Sequence, residues 1–190
     1  MNFLLVMGKG KGKGDRLVEY FLIALGGIGG REEGELLLVR TELAQAFAEA
    51  AVHVLQEMLG TEVAVGEHRV EVTALHADEV TVLVGLTGEV SGLCLLTMPN
   101  STAYAAVSMM MGETVTELDD IGRSAVAELG NMISGAATIK LEERGISSNI
   151  TPPSVLQGHS PEISTPNLER AVVPLQTGLG NLTLHISIKS

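Results

Sequence analysis

The sequence predicts an α+β fold, in which an antiparallel sheet is covered by one long helix and two further helices. Two observations carry this prediction. Residues 41–60 and 119–143 repeat apolar side chains at helical spacing, whereas residues 61–99 and 171–189 alternate apolar and polar side chains in short runs. Because the turns between successive runs are short, neighbouring strands are expected to pair antiparallel.

Composition restricts the class of protein. The chain has 190 residues, of which 45% are hydrophobic, so it can bury a sizeable core. A formal net charge of −11 argues against a nucleic-acid partner, because phosphates are held by Lys and Arg. The single cysteine, Cys94, cannot form an internal disulfide and lies in an apolar run. We therefore expect a buried structural thiol and a cytoplasmic location.

The first 39 residues differ in composition from the rest. They begin with a Gly and Lys alternation, and Gly14 follows Lys13 where a phosphate-binding loop would need Ser or Thr. The apolar run that follows is too short to span a bilayer, so no membrane insertion is expected. No small-residue cleavage site follows it, which disfavours a signal peptide. We predict a loosely attached extension, or a start codon assigned too early, over residues 1–39 and one domain over residues 40–190.

Helical spacing and turn residues place the elements of this domain. The first helix is predicted over residues 41–60, where Gly60 ends it. Residues 61–99 predict a meander of about four strands, broken at Gly66, at residues 77–78 and at residues 87–88. The apolar side chains that define the first helix share one face: Leu43, Phe47, Val52, Leu55 and Leu59.

Two more helices and three more strands follow. Residues 100–112 predict a helix capped by Asn100 or Ser101 and ended by Gly112. The long helix is predicted from about Asp119 to Glu143, with Asp119 or Asp120 at its cap and Gly145 after its end. The chain beyond it predicts three strands, the last two of which are joined by residues 177–180.

The long helix carries an apolar and a polar stripe. At about 100° per residue, one apolar stripe is expected to face the sheet. It comprises Ile121, Ala125, Leu129, Met132, Ala136 and Ile139, extended on one side by Val126 and Ile133. A second stripe lies roughly 80° around the helix, at the rim of that face. It comprises Ser124, Glu128, Asn131 and Gly135.

Spacing alone leaves two interpretations of this polar stripe, a solvated flank or a site that meets another molecule. Asn lowers helix stability by up to about 0.7 kcal/mol relative to Ala, and Gly by roughly 1 kcal/mol. Gly130 stands directly before Asn131, so this helix is less stable than it could be. A loss of helix stability without a visible structural gain favours the interpretation of this stripe as a site that meets another molecule. Gly135 adds no bulk, which lets another molecule approach.

The pattern Ser124-x-x-x-Glu128-x-x-Asn131, followed by Pro153, resembles the signature of the CheC, CheX and FliY family of bacterial chemotaxis phosphatases. The surrounding residues 128–137, ELGNMISGAA, are also similar to this family, and the resemblance covers about residues 40–190.

Some members of the family carry the signature twice. In the first helix the same register gives Gln45, Glu49 and Val52, and the valine replaces the required asparagine. The single motif is most similar to the CheX branch of the family.

The resemblance implies a function. These proteins hydrolyse the aspartyl phosphate of a CheY-like response-regulator receiver domain, so phosphorylated receiver would be the partner. Asn131 would orient the attacking water and Glu128 would pair with a receiver lysine. Ser124 would support the motif, and Pro153 would shape the strand or loop alongside.

The receiver would also supply Mg²⁺, and no cofactor would be bound by this chain. The chemistry of phosphoryl transfer is consistent with a chain that has no metal ligands or nucleophile of its own. Transfer to water needs mainly positioning, a metal ion and charge compensation. The five histidines show no metal-ligand spacing: His53, His68, His76, His159 and His185.

Two rival functions stay open at this point, a receiver-binding adaptor that does not hydrolyse and a structural component of the flagellar switch. The strands predicted at residues 79–98 and 171–189 contain long apolar runs with few Lys or Pro residues. Since the edge of such a sheet needs cover, we also expect a homodimer formed through a sheet edge, as CheX-type relatives imply.

Overall fold

The structure is a computed structural model that describes residues 31–71, 75–158, 162–163 and 169–189. These residues contain three helices and ten strands. The helices are α1 (Arg31–Leu59), α2 (Asn100–Met111) and α3 (Asp120–Glu143). The strands are β1 (Val63–Val65), β2 (Arg69–Glu71), β3 (Leu75–His76), β4 (Val80–Gly88), β5 (Ser91–Met98), β6 (Ser148–Ile150), β7 (Ser154–Gln157), β8 (Glu162–Ile163), β9 (Arg170–Thr177) and β10 (Gly180–Lys189).

The predicted α+β fold with an antiparallel sheet is confirmed. One sheet has the strand order β1-β9-β10-β5-β4-β6. Strand β2 also pairs with β9, and strand β7 also pairs with β4. All its pairings are antiparallel. Strands β3 and β8 form a separate two-stranded sheet. The three helices and one face of the main sheet enclose a mostly aliphatic core that includes Leu96, Leu129 and the aromatic Phe47.

The predicted meander over residues 61–99 is wrong in its pairing. Five strands form there, and within this segment only β4 and β5 make a hairpin. Strands β1 and β2 pair with β9, and β3 pairs with β8. Strands of two or three residues make too few hydrogen bonds to fix a pairing with their neighbours in sequence. The order of strands in the main sheet therefore depends on the long apolar strands. The chain after α3 likewise contains five strands instead of three, although the predicted turn between β9 and β10 is confirmed.

The sheet topology also removes the basis of the edge argument for a homodimer. Strands β4, β5, β9 and β10, which carry the long apolar runs, all have a strand on either side. Short strands close the sheet, namely β1 and β2 on one side and β6 and β7 on the other. Short edge strands limit unwanted pairing, so the long apolar runs need no second subunit to cover their backbone.

The first helix begins ten residues earlier than predicted, at Arg31, so the boundary proposed after residue 39 lies inside α1. Residues 1–30 lie outside the described residues, and the division into an extension and one domain stays a prediction.

Helix α2 ends at Gly112 as predicted, where φ is 71°. Its predicted cap is wrong, because Pro99 occupies the cap position. The N–H group of Asn100 instead donates to the carboxylate of Glu79 at 2.8 Å. A carboxylate from another segment thus replaces the local cap.

Helix α3 has the predicted bounds and the predicted cap. The carboxylate of Asp119 accepts a hydrogen bond of 2.8 Å from the N–H of Gly122. Gly145 follows the helix with φ of 81°, a value that glycine adopts readily.

The predicted buried face of α3 is wrong in part. Ile121 and Ile139 are 63% and 61% exposed, so the helix is rotated relative to the prediction. Small residues lie closest to the sheet, and a Cβ on Gly130 would lie only 2.6 Å from Cγ1 of Val82. Close packing therefore selects small side chains over the bulkiest apolar ones. The buried residues are Gly122, Val126, Leu129, Gly130, Ile133, Ser134, Ala137 and Leu141.

Gly130→Ala is expected to destabilise the protein by roughly 1–2 kcal/mol. Overpacking costs about 1–3 kcal/mol, and the better helix propensity of Ala recovers up to about 1 kcal/mol. Gly135→Ala is the matched control, because its Cβ would lie 3.9 Å from Cδ1 of Ile150, an ordinary contact. Denaturant unfolding measures both variants. Equal stability of the two would contradict the packing role assigned to Gly130.

Cys94 is buried as predicted, with 2% of its surface exposed. Burial raises the pKa of its thiol to about 12, although the nearby Ser134 hydroxyl opposes this rise. A thiol that stays protonated is a poor nucleophile, so Cys94 is a structural residue.

The face of the sheet away from the helices holds a buried polar cluster, in which Arg170 is 1% exposed. Arg170 and Arg69 lie 2.5 and 2.6 Å from the carboxylate oxygens of Glu71. Thr97 Oγ1 donates to Asp78 at 3.1 Å and lies 3.4 Å from Nε2 of His185. Desolvation, followed by the charge of Arg170, lowers the pKa of His185 to about 4. The contact between Glu71 and Arg170 joins the short strand β2 to β9.

Candidate functional site

Glu128 and Asn131 lie one turn apart on the exposed side of α3. Glu128 is exposed, Asn131 is half-buried, and Nδ2 of Asn131 lies 3.4 Å from Oε2 of Glu128. At that distance the hydrogen bond is weak and leaves the amide able to turn toward another group. Because α3 is rotated relative to the prediction, Glu128 lies near the middle of the exposed face and not at its rim.

The positively charged side chains of α3 contact groups other than Glu128. Arg123 contacts the carboxylate of Asp120 and donates to the carbonyl of Leu118 at 2.8 Å. Lys140 lies 3.6 Å from Glu49 on α1. Across the described part of the chain, no Lys or Arg forms an ion pair with Glu128. The Glu128 carboxylate is therefore available to a cation of a partner.

Ser124 lies one turn before Glu128 on the same exposed face. Its hydroxyl donates to the carbonyl of Asp120 at 2.8 Å, the bond that a helical serine makes to its own backbone. This bond holds the Ser124 side chain against the helix. The geometry suits a supporting role more than a reaction at the hydroxyl oxygen.

Gly135 and Pro153 belong to the side of the site that faces β6 and β7. These two strands pair with β4 and contact α3. Pro153 lies in the loop of residues 151–153 that joins them. A Cβ on Gly135 would lie 3.9 Å from Ile150 in β6. Gly135 thus lies beside β6, the strand that leads into the Pro153 loop, while the roles of both residues stay predictions.

Thr151 and Gly85 also position the loop of Pro153, and the motif search did not identify them. The Thr151 N–H donates to the Gly85 carbonyl at 2.9 Å, and the Gly85 N–H donates to Oγ1 of Thr151 at 2.9 Å. A Cβ on Gly85 would lie 2.9 Å from that Oγ1. A glycine inside the apolar strand VTVLVGLTG is the sequence signal for such a close approach.

The equivalent positions on α1 are used for structure. Gln45 donates to Glu49 at 3.0 Å, and Glu49 in turn holds Lys140 at 3.6 Å and Arg144 at 3.3 Å. The Glu49 carboxylate therefore joins α1 to α3. Val52 is half-buried and offers no amide. These contacts support a single site on α3.

Within the residues that the structure describes, no group of three or more His, Cys, Asp or Glu side chains is arranged to hold a metal ion. His53 pairs with Glu57 at 3.5 Å, and burial lowers the pKa of His68. His159 lies outside the described residues. Among the same described residues, none of the helices combines the length and apolarity that crossing a bilayer requires.

The fold and site define a class of protein: an α+β protein that presents a carboxylate and an amide on one exposed helix. A profile described as "Chemotaxis phosphatase CheX" matches residues 80–176, just over half of the chain and the part that contains the whole motif. The chain therefore belongs to the CheX family, and the family predicted from the motif is confirmed.

Individual relatives agree with this family. The protein named CheY-P phosphatase CheX from Thermotoga maritima is 29% identical over 152 residues, which are 78% of this chain and 96% of that protein. The chemotaxis protein CheX from Desulfovibrio desulfuricans is 30% identical with a TM-score of 0.73, over 78% of this chain and 99% of that chain.

A third relative was solved with a partner. The structure of a CheX-CheY-BeF3-Mg+2 complex from Borrelia burgdorferi is similar to this chain, with 29% identity and a TM-score of 0.66. The similarity covers 78% of this chain and 98% of that chain.

Proposed function

We propose that this chain is a protein aspartyl-phosphate phosphatase of bacterial chemotaxis signalling. Its substrate is a phosphorylated CheY-like receiver, whose aspartyl phosphate it hydrolyses. The observation that carries the proposal is the pair of Glu128 and Asn131, presented one turn apart on an exposed helix. Membership of the CheX family and the name of the Thermotoga relative support it.

Asn131 orients the attacking water in this proposal. Its amide donates and accepts hydrogen bonds and does not titrate, so it holds water in one orientation across the physiological pH range. Hydrolysis of a phosphoryl group depends on an in-line nucleophile and on charge compensation more than on covalent chemistry. A half-buried amide on a rigid helix meets the first requirement.

Glu128 fixes the position of Asn131 by pairing with a lysine of the receiver. It is exposed and has no ion-pair partner among the described residues, so pairing with a receiver lysine breaks no internal ion pair. Ser124, Gly135 and Pro153 support the motif. Ser124 continues the exposed stripe, Gly135 leaves room for the partner, and Pro153 shapes the adjoining loop.

Mg²⁺ comes with the receiver in this proposal, and this chain binds no cofactor of its own. The Borrelia complex contains CheX, CheY, BeF3 and Mg+2, so a relative of this chain meets the metal together with a CheY partner. The metal supplies charge compensation at the phosphoryl group. This chain's own residues bind the receiver and orient the water.

The proposal is tested by following loss of the aspartyl phosphate from a CheY-like receiver with and without this protein. Faster loss supports the phosphatase. Binding without faster loss would instead identify a non-catalytic adaptor.

Glu128→Lys is expected to weaken receiver binding more than Glu128→Ala does. Alanine removes an attraction to the receiver lysine, whereas lysine adds a like-charge contact. Affinity for a receiver loaded with beryllofluoride and Mg²⁺, measured at low and high salt, tests this expectation. Equal affinities of the two variants would show that Glu128 makes no such pair.

We also retain the homodimer as a proposal, which rests on the resemblance to CheX-type relatives and not on the strand order. Light scattering measures the mass. A monomer at tens of micromolar would contradict this proposal.

A further inference from the structure

Two large apolar side chains on α3 face the solvent. Ile121 is 63% exposed and Ile139 is 61% exposed. At about 100° per residue, both lie within about 20° of the direction of Glu128 around the helix axis. They precede and follow Glu128 by seven and eleven residues. The exposed isoleucines therefore lie in line with the candidate site, one on each side of it.

One exposed isoleucine on a protein surface is ordinary, but two in line with a functional pair are not. The core beneath α3 is built from other side chains, with Val126, Leu129 and Ile133 fully buried. Neither exposed isoleucine belongs to that core cluster. The packing of the described residues therefore gives no reason for apolar side chains at positions 121 and 139.

We propose that Ile121 and Ile139 are the two apolar contacts of the receiver-docking surface and that they set the affinity for the phosphorylated receiver. This inference rests on the proposed phosphatase function. Glu128 and Asn131 act at the phosphoryl group, whereas the isoleucines hold the receiver on α3. They are positioning residues that do not touch the reacting atoms.

The dimensions fit one receiver. At 1.5 Å per residue, Ile121 and Ile139 are about 27 Å apart along the helix. A standard interface buries about 800 Å² per partner, a patch roughly 30 Å across. A domain of about 100–150 residues, with a radius of gyration of roughly 13–15 Å, presents such a patch. A receiver centred between Glu128 and Asn131 lies about 13 and 14 Å from the two isoleucines along the helix and therefore covers both.

The charges favour a receiver over a second copy of this chain. Arg123 and Lys140 pair with Asp120 and Glu49, while Glu128 has no such partner among the described residues. A two-fold contact of α3 with itself would bring two Glu128 carboxylates together, in a chain of net charge −11. The surface therefore fits a partner that combines apolar side chains with a basic group.

The test uses the full chain with Ile121→Ser, Ile139→Ser and the double substitution. Affinity is measured for a receiver loaded with beryllofluoride and Mg²⁺, and kcat and KM are measured with the phosphorylated receiver. Each single substitution is expected to weaken binding about tenfold, equivalent to about 1.4 kcal/mol, because each removes an apolar contact. Weaker binding is expected to raise Kd and KM, whereas kcat at saturating receiver is expected to change less than about twofold.

Leu156→Ser is the matched control. Leu156 is 41% exposed on β7 and pairs with Thr81. The adjacent pair, Val155 and Val82, lies on the helix side, so Leu156 faces the other side of the sheet. Its substitution is expected to leave receiver affinity unchanged. Circular dichroism checks the fold of every variant, and Ile121→Ala and Ile139→Ala repeat the test with a better helix former.

Unchanged affinity in the double variant would overturn the proposal. So would a loss of dimer mass in light scattering with unchanged receiver affinity, because the surface would then belong to a second copy. These failures are distinct from failure of the phosphatase function. If Asn131→Ala stops hydrolysis while the isoleucine variants bind normally, the docking proposal alone is wrong.

Discussion

Asn131→Ala is expected to lower the rate of receiver dephosphorylation by roughly 10²-fold or more. The substitution removes the amide that orients the attacking water, while Glu128 still binds the receiver. The Asn131 side chain is half-buried and makes one weak internal hydrogen bond, of 3.4 Å. Since Ala is also the better helix former, the free energy of unfolding should stay the same or rise by a few tenths of a kcal/mol.

Lower activity together with equal or higher stability cannot result from partial unfolding. Single-turnover decay of the phosphorylated receiver gives the rate, and denaturant unfolding gives the stability. Ser124→Ala is the matched control on the same face, because the Ser124 hydroxyl bonds to its own helix. It should change the rate only a few-fold. Normal activity of Asn131→Ala would rule out the water-orienting role.

Glu71→Ala is expected to destabilise the fold by about 3 kcal/mol, because it leaves Arg170 buried without this carboxylate. Arg170 is 1% exposed, and the two side chains approach to 2.5 Å. Hydrogen bonding to Arg69, then to Arg170, holds the pKa of Glu71 below its ordinary value despite desolvation. The unfolded chain thus binds the proton more readily. The contribution to stability is complete above the unfolded pKa and is lost as pH falls through the folded one.

Two control variants separate the effect of a buried charge on stability from the effect of lost packing. Arg170→Met removes the buried charge and keeps much of the apolar volume, so it should cost much less than Glu71→Ala. Arg69 is largely exposed, and Arg69→Ala should cost less than about 1 kcal/mol. Chemical denaturation at pH 7 measures all three. A cost for Arg170→Met equal to that of Glu71→Ala would contradict the interpretation of this pair.

The helices were predictable because their signals are local. Asp119 caps α3 and Gly145 follows it, as the sequence indicated, and Gly112 ends α2. The pairing of β1 and β2 with β9 was not predictable, since runs of three residues carry no signal for a partner about a hundred residues away. The carboxylate of Glu79 at the start of α2 was missed because it comes from another segment and not from the residues next to the helix.

The candidate site could be predicted from one helix, but its orientation could not. Glu128 and Asn131 stand out because polar residues and glycines weaken α3. The cost of Gly130, however, has a structural explanation, because Val82 leaves no room for a side chain. The hydrophobic pattern predicted that Ile121 and Ile139 face the sheet. In the structure Gly130 and Ser134 are buried there, because the helix packs closely on the sheet. The contact of Thr151 with Gly85 depends on the sheet register and was not predictable from the motif.

The measurement that tests the central claim most directly is phosphate release from an excess of phosphorylated CheY-like receiver by a small fraction of this protein. The phosphatase account predicts many turnovers per molecule, at a rate proportional to its concentration, which Asn131→Ala reduces roughly 10²-fold. Release no faster than the receiver's own decay, with the receiver bound, would contradict the account and identify a protein that docks without hydrolysing.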